Sequence, residues 1–453
     1  MKYSFLITAA LGLSCTILQA QNSYLDSYIR EGLESNKGLK QKQLDYASDL
    51  SALKEAKGMF FPDISMNARY TVAKGGRTID FPVGDMLNPV YSTLNMLTAT
   101  EAFPQIENQE FAFYRPTEHE TKLSLVQPIF NSDIVQNYRI KKQYAEISRI
   151  DVERYQRELI KEITKAYYEY KKAHNLLALA DTSLSLVKEN LRVSQKLFEN
   201  DRVTKDAVYR SESELSKVEV QRAQANNFVE ASRAYFNFLL NRSLTEPVEL
   251  MPESPVPPLV PLEDATRLAL QNRNELQQIE GYKRLNKHVT SLQKGKNIPG
   301  VFGVVDYGFQ GEQYSFTSED DFMLASLVMK WKLFQGNVNR QKVHQSRIES
   351  EKLEELYMQT EQQISLEVIN NFYGLQAAYE SVESAGKQTS SAIRAYELIN
   401  RKYQEGQSSL LELIDARTNV TSAAANSIVA TSEYYSRLAD FEYAMGANGL
   451  ENY

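Results

Sequence analysis

Side chains that could do chemistry are few, and the sequence scatters them along the chain. The histidines are His119, His174, His288 and His344, and none of them stands in an HExxH spacing. The sequence also has no CxxC pair, no serine-centred nucleophile elbow and no glycine-rich phosphate loop. This pattern predicts no catalytic residue, no cofactor and no metal site, so we expect a protein that is not an enzyme.

One pair of acidic residues stands at a helical spacing close to a predicted turn. Glu412 and Asp415 are three residues apart, so a helix would place both carboxylates on one face, directly after the turn at Gly406. Taken alone, the pair favours two solvated acids near a helix N-terminus, where the helix dipole stabilises negative charge.

The bulk composition excludes two broad classes of protein. The 453 residues carry a formal net charge of −7, without the basic excess that neutralises phosphates, so no nucleic-acid partner is expected. Mean hydropathy is −0.44, and no apolar run after the N-terminus reaches the roughly 18 residues of a membrane helix.

Residues 1–20 have the pattern of a secretory signal peptide. Lys2 precedes an apolar stretch, and Ala20 stands at the predicted cleavage point. The alternative is lipidation at Cys15, although Gly12 occupies the place where a lipoprotein signal normally carries Leu. Cleavage after Ala20 removes Lys2 and the only cysteine, which leaves a net charge of 50 − 58 = −8 and no disulfide.

The rest of the chain is predicted to be one structural repeat written twice. Residues 21–241 and 263–453 share the order helix, strand, strand, helix, helix, and Pro62 and Pro299 mark the two helix-to-strand switches. A linker at 242–262 separates the repeats, because no helix passes through its cluster of prolines.

Long apolar stripes with alternating spacings of four and three residues run through the helical parts. The clearest extends from Tyr155 to Phe198, a pattern typical of helices that pack side by side as coiled coils. A helix of about 69 residues would be roughly 100 Å long. We therefore expect a tube or rod of long helices.

The predicted strands alternate between an apolar and a polar face. In the first, Ile64 and Met66 fall on one face, while Asp63 and Ser65 fall on the other. About ten residues is the length that a tilted strand needs to cross a bilayer. The strands are predicted at about 63–73, 120–130, 300–310 and 321–333. Aromatic residues near strand ends would form a membrane-interface belt; they are Phe60, Phe61 and Trp331.

The alternative is a soluble four-stranded sheet whose apolar face packs on a helix. We favour a membrane sheet because the chain is exported, the strand lengths match a bilayer, and the long helices are expected to pack on one another. A sheet in lipid must close, and four strands are too few, since barrels start at about eight. The sequence therefore predicts eight strands in a dimer or twelve in a trimer.

Together these features resemble the TolC-like outer membrane efflux factors. The stretch KYQEGQSSLLELIDAR carries the most specific spacing, formed by Tyr403, Gly406, Ser409, Leu413 and Asp415. The resemblance implies a mainly α fold with a membrane β-barrel contribution, in which a homotrimer completes a twelve-stranded barrel in outer membrane lipid and a coiled-coil α-barrel crosses the periplasm. It also implies docking onto a periplasmic adaptor and an inner-membrane RND or ABC-type pump.

The resemblance further implies two kinds of functional site. Glu412 and Asp415 would line the periplasmic aperture as symmetry-repeated rings of carboxylates that attract cations. The helix–turn–helix tips would contact the adaptor; their residues are Arg202, Val203, Thr204, Gly406, Gln407, Ser408 and Ser409. Thr204 and Ser409 also suit N-caps. Ser408 stands where the family's type member has an Arg that bonds across the tip, so any latch here is built differently.

Residues 74–119 form a long, aromatic connection between the first two strands. We expect an extracellular loop that folds over or into the barrel mouth; a mobile surface loop is the alternative.

The predicted function is the exit duct of a tripartite efflux or export system, which passively conducts small molecules or secreted substrates across the bacterial outer membrane. The alternative is a secreted or envelope-associated coiled-coil structural or adhesion protein without a pore.

Overall fold

The computed structural model describes residues 23–251 and 260–447. The predicted signal peptide with Cys15, and residues 252–259 of the proline-rich linker, lie outside the described residues. The chain forms two units: the described parts of 1–50, 142–286 and 348–453 make a helical unit, and 51–141 with 287–347 make a strand unit.

The elements follow the predicted order, and the mainly helical fold class with four long strands is confirmed. The first repeat contains α1 (Ser23–Ser35), α2 (Lys37–Gly58), β1 (Asp63–Val72), β2 (Thr78–Phe81), α3 (Val83–Thr98), β3 (Gln109–Ala112), β4 (Thr117–Phe130), α4 (Ser132–Glu199) and α5 (Lys205–Leu239). The second contains α6 (Leu262–Asn272), α7 (Asn274–Gly295), β5 (Gly300–Gly311), β6 (Asp321–Lys330), α8 (Val338–Gln404) and α9 (Leu410–Ala444).

Helix lengths recur from one repeat to the other. The longest helices, α4 and α8, have 68 and 67 residues. Each is followed by a helix of 35 residues, α5 or α9. The helices that precede β1 and β5, α2 and α7, have 22 residues each.

The sequence predicted one continuous helix before each first strand, but each of these helices is broken in two. At the first break, the Asn36 side chain accepts a hydrogen bond from the Leu39 N–H at 2.9 Å and donates to the Leu239 carbonyl at 2.9 Å. At the second, Arg273 is extended, with φ −67° and ψ 125°. Its guanidinium is held by Glu275 and, from α8, by Glu367. Both breaks depend on partners that are distant in the sequence, which local periodicity does not register.

The predicted apolar stripe of the first long helix forms much of the core of the helical unit. Ile163 and Ala173 are fully buried, and Ile163 packs in one cluster with Phe236 of α5. Phe198, at the end of the stripe, is instead 39% exposed. The stripe thus buries its apolar side chains against other helices along most of its length.

The four long strands form one antiparallel sheet in the order β1-β4-β5-β6. Its two edges are β1 and β6, and each has one side without a partner strand among the described residues. The register aligns Ile64, Leu125, Val305 and Ala325 across the sheet. Because side chains alternate along a strand, the predicted apolar faces of the strands coincide on one face of the sheet.

The connection at 74–119, predicted as a loop, contains regular structure. The strands β2 and β3 pair as a short antiparallel ribbon, and the 16-residue helix α3 lies between them in the chain. The base of this insertion is closed by a hydrogen bond from the Ala73 N–H to the Pro116 carbonyl at 3.0 Å. We call residues 73–116 the cap subdomain.

A glycine sets how closely β5 approaches β4, which gives a test of the sheet. A Cβ atom at Gly308 would lie 2.3 Å from the Thr121 carbonyl oxygen and 2.5 Å from the Lys122 Cβ. We expect Gly308→Ala to destabilise the sheet by about 1–3 kcal/mol through overpacking. Gly303→Ala is the control, because its Cβ would meet only Ile129, at 3.6 Å. The midpoint of thermal unfolding should fall for the first variant only; equal midpoints would contradict the observed pairing.

Candidate functional site

The two helix–turn–helix tips share one backbone geometry. Asp201 and Gly406 both adopt positive φ angles, 57° and 74°. In each tip the next residue's N–H bonds back five residues, from Arg202 to Leu197 and from Gln407 to Lys402, both at 2.8 Å. This is the Schellman ending of a helix, which satisfies otherwise unpaired carbonyls. The tips are therefore formed structures that present Arg202, Thr204 and Gln407 as exposed side chains.

The two predicted N-caps behave differently. Ser409 caps α9: its side chain accepts from the Glu412 N–H at 3.2 Å, and the Glu412 carboxylate accepts from the Ser409 N–H at 3.0 Å. This reciprocal pair is a capping box. Thr204 occupies the equivalent position before α5, but its hydroxyl bonds to the Asp206 carboxylate and caps no backbone N–H.

The two carboxylates of the predicted acidic pair differ: that of Glu412 is held by nearby hydrogen bonds, and that of Asp415 is exposed to solvent. Glu412 accepts hydrogen bonds from the Ser408 hydroxyl and the Ser409 N–H, and these hold the pKa of its carboxyl below its usual range. Asp415 is exposed and accepts only a long hydrogen bond, 3.4 Å, from Asn419 on the next turn. Glu412 thus serves its own helix, while the Asp415 charge is available to solvent ions.

A buried ion pair links the two helical hairpins near their tips. Arg417 of α9 is 4% exposed and donates to the Glu214 carboxylate of α5 at 2.6 Å. Sequence reasoning missed this pair; the available signal was a basic residue one helical turn after the buried Leu413.

A cluster of buried hydroxyls lies in the same tip region of the helical unit. The Ser194 hydroxyl lies 3.3 Å from the Tyr403 hydroxyl and accepts from Ser211 at 3.1 Å, so α4, α5 and α8 meet at one point. All three side chains are buried. The ion pair and this cluster together hold the α4–α5 hairpin to the α8–α9 hairpin; we call them the tip latch.

The apolar face of the four-stranded sheet is exposed. Met66 is 70% and Leu327 73% exposed, and Ile64, Tyr70, Leu123, Met323 and Met329 are each more than half exposed. Among the described residues, no helix covers this face of the sheet.

The opposite face of the sheet carries a chain of charges. Lys122 of β4 lies 2.7 Å from Glu120 and 3.6 Å from Asp306 of β5. Arg69 of β1 reaches Glu120 at 3.3 Å, and Ser124 donates to Asp306 at 2.5 Å. The sheet therefore has a charged, hydrogen-bonded face and an apolar face open to its surroundings.

The predicted aromatic residues lie at the end of the sheet where helices join strands. Phe60 and Phe61 precede β1, Trp331 follows β6, and all three are exposed. The Trp331 indole N–H donates to the Asn297 carbonyl at 3.0 Å. At the same end, Pro62 and Pro299 each stand immediately before a strand.

The structure does not gather the histidines into one site. His119 is fully buried under Tyr314 and Phe316 of the β5–β6 turn, whereas His174 is exposed on α4. Within the described ranges, no group of three or more His, Cys, Asp or Glu side chains could hold a metal ion. No helix of residues 23–251 and 260–447 has the length and apolar character of a membrane span.

Comparison with known proteins gives one family match, over the second repeat, and several structural matches. Residues 265–447 match the family model described as outer membrane efflux protein. No curated protein sequence matches the chain.

Solved structures match nearly the whole chain. CmeC, an outer membrane channel of Campylobacter jejuni, has a TM-score of 0.77 at 15% identity, over 93% of this chain and 85% of that one. The outer membrane protein VceC of Vibrio cholerae has a TM-score of 0.75 at 13% identity, over 94% of this chain and 98% of that one. MtrE of Neisseria gonorrhoeae, an outer membrane channel in its open state, has a TM-score of 0.74 at 16% identity, over 93% of this chain and 89% of that one. The chain has the fold of these channels, and its predicted resemblance to TolC-like outer membrane efflux factors is confirmed.

Proposed function

We propose that this chain is one protomer of a trimeric outer membrane channel, the exit duct of a tripartite efflux or export system. One observation carries the proposal: a sheet with an exposed apolar face, a charged opposite face and two open edges. Exposed strands of this kind suit lipid on one side and water on the other.

The open edges require further copies of the chain. Unpaired backbone groups cannot remain at a sheet edge inside lipid, so the β6 edge of one copy must pair with the β1 edge of the next. Three copies of the four-stranded sheet close a twelve-stranded barrel, with Phe60, Phe61 and Trp331 at its periplasmic rim.

The helical unit is proposed to form the periplasmic part of the channel and to contact its partners. The exposed tip residues Arg202, Thr204 and Gln407 would meet the helical tip of a periplasmic adaptor, which connects the duct to an inner-membrane RND or ABC-type pump. Conduction is passive, because the energy is supplied by the pump.

The proposal is tested against the coiled-coil scaffold by fractionation and mass. An exit duct is expected in outer membrane fractions, and its detergent-extracted complex should have three times the chain mass and dissociate only on heating. A chain that stays soluble, or whose complex has another stoichiometry, would favour the scaffold.

The aperture hypothesis predicts an effect on ion selectivity. In a trimer, Asp415 and Glu412 would each appear three times around the periplasmic end, concentrating cations and binding multivalent ones. The double variant Glu412→Gln, Asp415→Asn removes the charges, and Gln retains the capping box. We expect weaker cation selectivity and weaker block by multivalent cations in single-channel recordings, with trimer yield unchanged. Unaltered selectivity and block would place both residues away from the aperture.

A further inference from the structure

Helix α3 of the cap subdomain has one apolar face and one polar face, and it carries almost no charge. Its only charged residue is Asp85, in the first turn. Met86, Val90, Thr93 and Leu97 follow each other at spacings of four, three and four residues and form one stripe. Leu97 is 77% exposed and the flanking Met96 82%. This stripe, the cap stripe, is among the most exposed apolar surfaces of the described chain.

The opposite face of α3 is already occupied. Asn88 makes two hydrogen bonds with the Ile106 backbone, both at 2.9 Å, and Asn95 makes two with Phe103, at 2.8 and 3.1 Å. The Tyr91 ring packs on the Phe103 ring, with centroids 5.8 Å apart. The segment that follows α3 is therefore fastened along this face, which fixes the helix and leaves the cap stripe outward.

We infer that the cap stripes of three copies pack against one another and reversibly close the outer mouth of the channel. The inference rests on the proposed trimer. Spacings of four and three residues are those with which helices interlock side by side, so the matching occupant is another helix with the same stripe. Under threefold symmetry, each copy presents the same surface toward the axis.

The position of the cap subdomain in the chain supports a second copy as the occupant. It follows β1 directly, and the free edge of β1 is where the next copy is proposed to pair. It also lies at the end of the sheet opposite to the helix connections. Each copy would thus place one α3 helix at the outer end of the β1–β6 interface between two subunits.

Charge argues against an anionic lipid surface as the occupant. The cap subdomain carries three basic and five acidic side chains, a balance of 3 − 5 = −2. A helix that lies on anionic lipid needs basic residues along its polar side, and α3 has none.

The test uses a single cysteine in a chain whose only native cysteine, Cys15, lies in the predicted signal peptide. In Leu97→Cys trimers, oxidation should produce covalent dimers from up to two of every three chains, because three cysteines on one axis pair two at a time. Channel conductance should fall on oxidation and recover with a reductant. Ser92→Cys is the matched control: it lies on the same helix, away from the cap stripe, and should give little dimer.

The outcomes separate the inference from the proposed function. Intact heat-modifiable trimers without dimers at position 97, or with equal dimers at 92 and 97, would overturn the cap and leave the trimer standing. Absence of trimers in the unmodified chain would overturn the proposed function itself. If Leu97→Cys lowers trimer yield, Met86→Cys on the same stripe gives the same test, and failure of both to cross-link in intact trimers would also overturn the cap.

Discussion

Replacing Leu327 by Arg is expected to remove most of the assembled trimer. Leu327 is 73% exposed on the apolar face of β6, where the proposal places lipid. An arginine on the lipid face costs about 2–4 kcal/mol near the membrane midplane, and a trimer incurs this cost at three equivalent positions. The measurement is the yield of heat-modifiable trimer in outer membrane fractions.

The neighbouring Ser326→Arg is the control, because Ser326 points to the opposite face of the same strand. That variant should assemble almost normally. Asp306 shares this face but is a poor control, since it is buried and accepts from Ser124 within the charge network. Equal yields of Leu327→Arg and Ser326→Arg would show that the faces of the sheet are assigned wrongly.

Breaking the tip latch is expected to have the second large effect. Glu214→Gln removes the carboxylate that pairs with Arg417 and leaves a guanidinium that is 4% exposed without its partner charge. The loss of one member of a buried pair costs about 3–5 kcal/mol. Because the pair joins two helical hairpins at their tips, we expect loosened tips, a higher open probability and a larger mean conductance in bilayer recordings.

The exposed pair between Arg222 and Asp181 provides the matched control. It also joins two helices, α5 and α4, but both side chains are close to half exposed. Asp181→Asn should therefore change stability by less than about 1 kcal/mol and leave conductance unaltered. The exchange Glu214→Arg with Arg417→Glu restores opposite charges and should recover part of the closed behaviour. Equal conductance in Glu214→Gln and the unmodified chain would exclude the pair from the latch.

Much of the fold could be predicted because its determinants are local. The strand faces follow from alternation over about ten residues, and the register places Ile64, Leu125, Val305 and Ala325 in one row across the sheet. The turn before α9 could also be predicted, since Gly406 and the capping residue Ser409 are local features of the sequence.

The features that were missed depend on contacts between distant residues. Glu214 and Arg417 are 203 residues apart, and nothing local indicates that their helices meet. Helix α3 was overlooked because it contains Pro89 and is held by Asn88 and Asn95, whose partners lie in the following segment. The capping box between Ser409 and Glu412 is local, by contrast, and the sequence permits it.

Three copies of this chain are proposed to enclose a water-filled path, and conductance across a planar bilayer tests this proposal most directly. Purified trimers of the unmodified chain and of Glu214→Gln would be inserted under a transmembrane voltage. We expect discrete current steps for both, with larger or longer openings for Glu214→Gln. Trimers that insert with their mass intact, yet carry no current in either form, would contradict the claim.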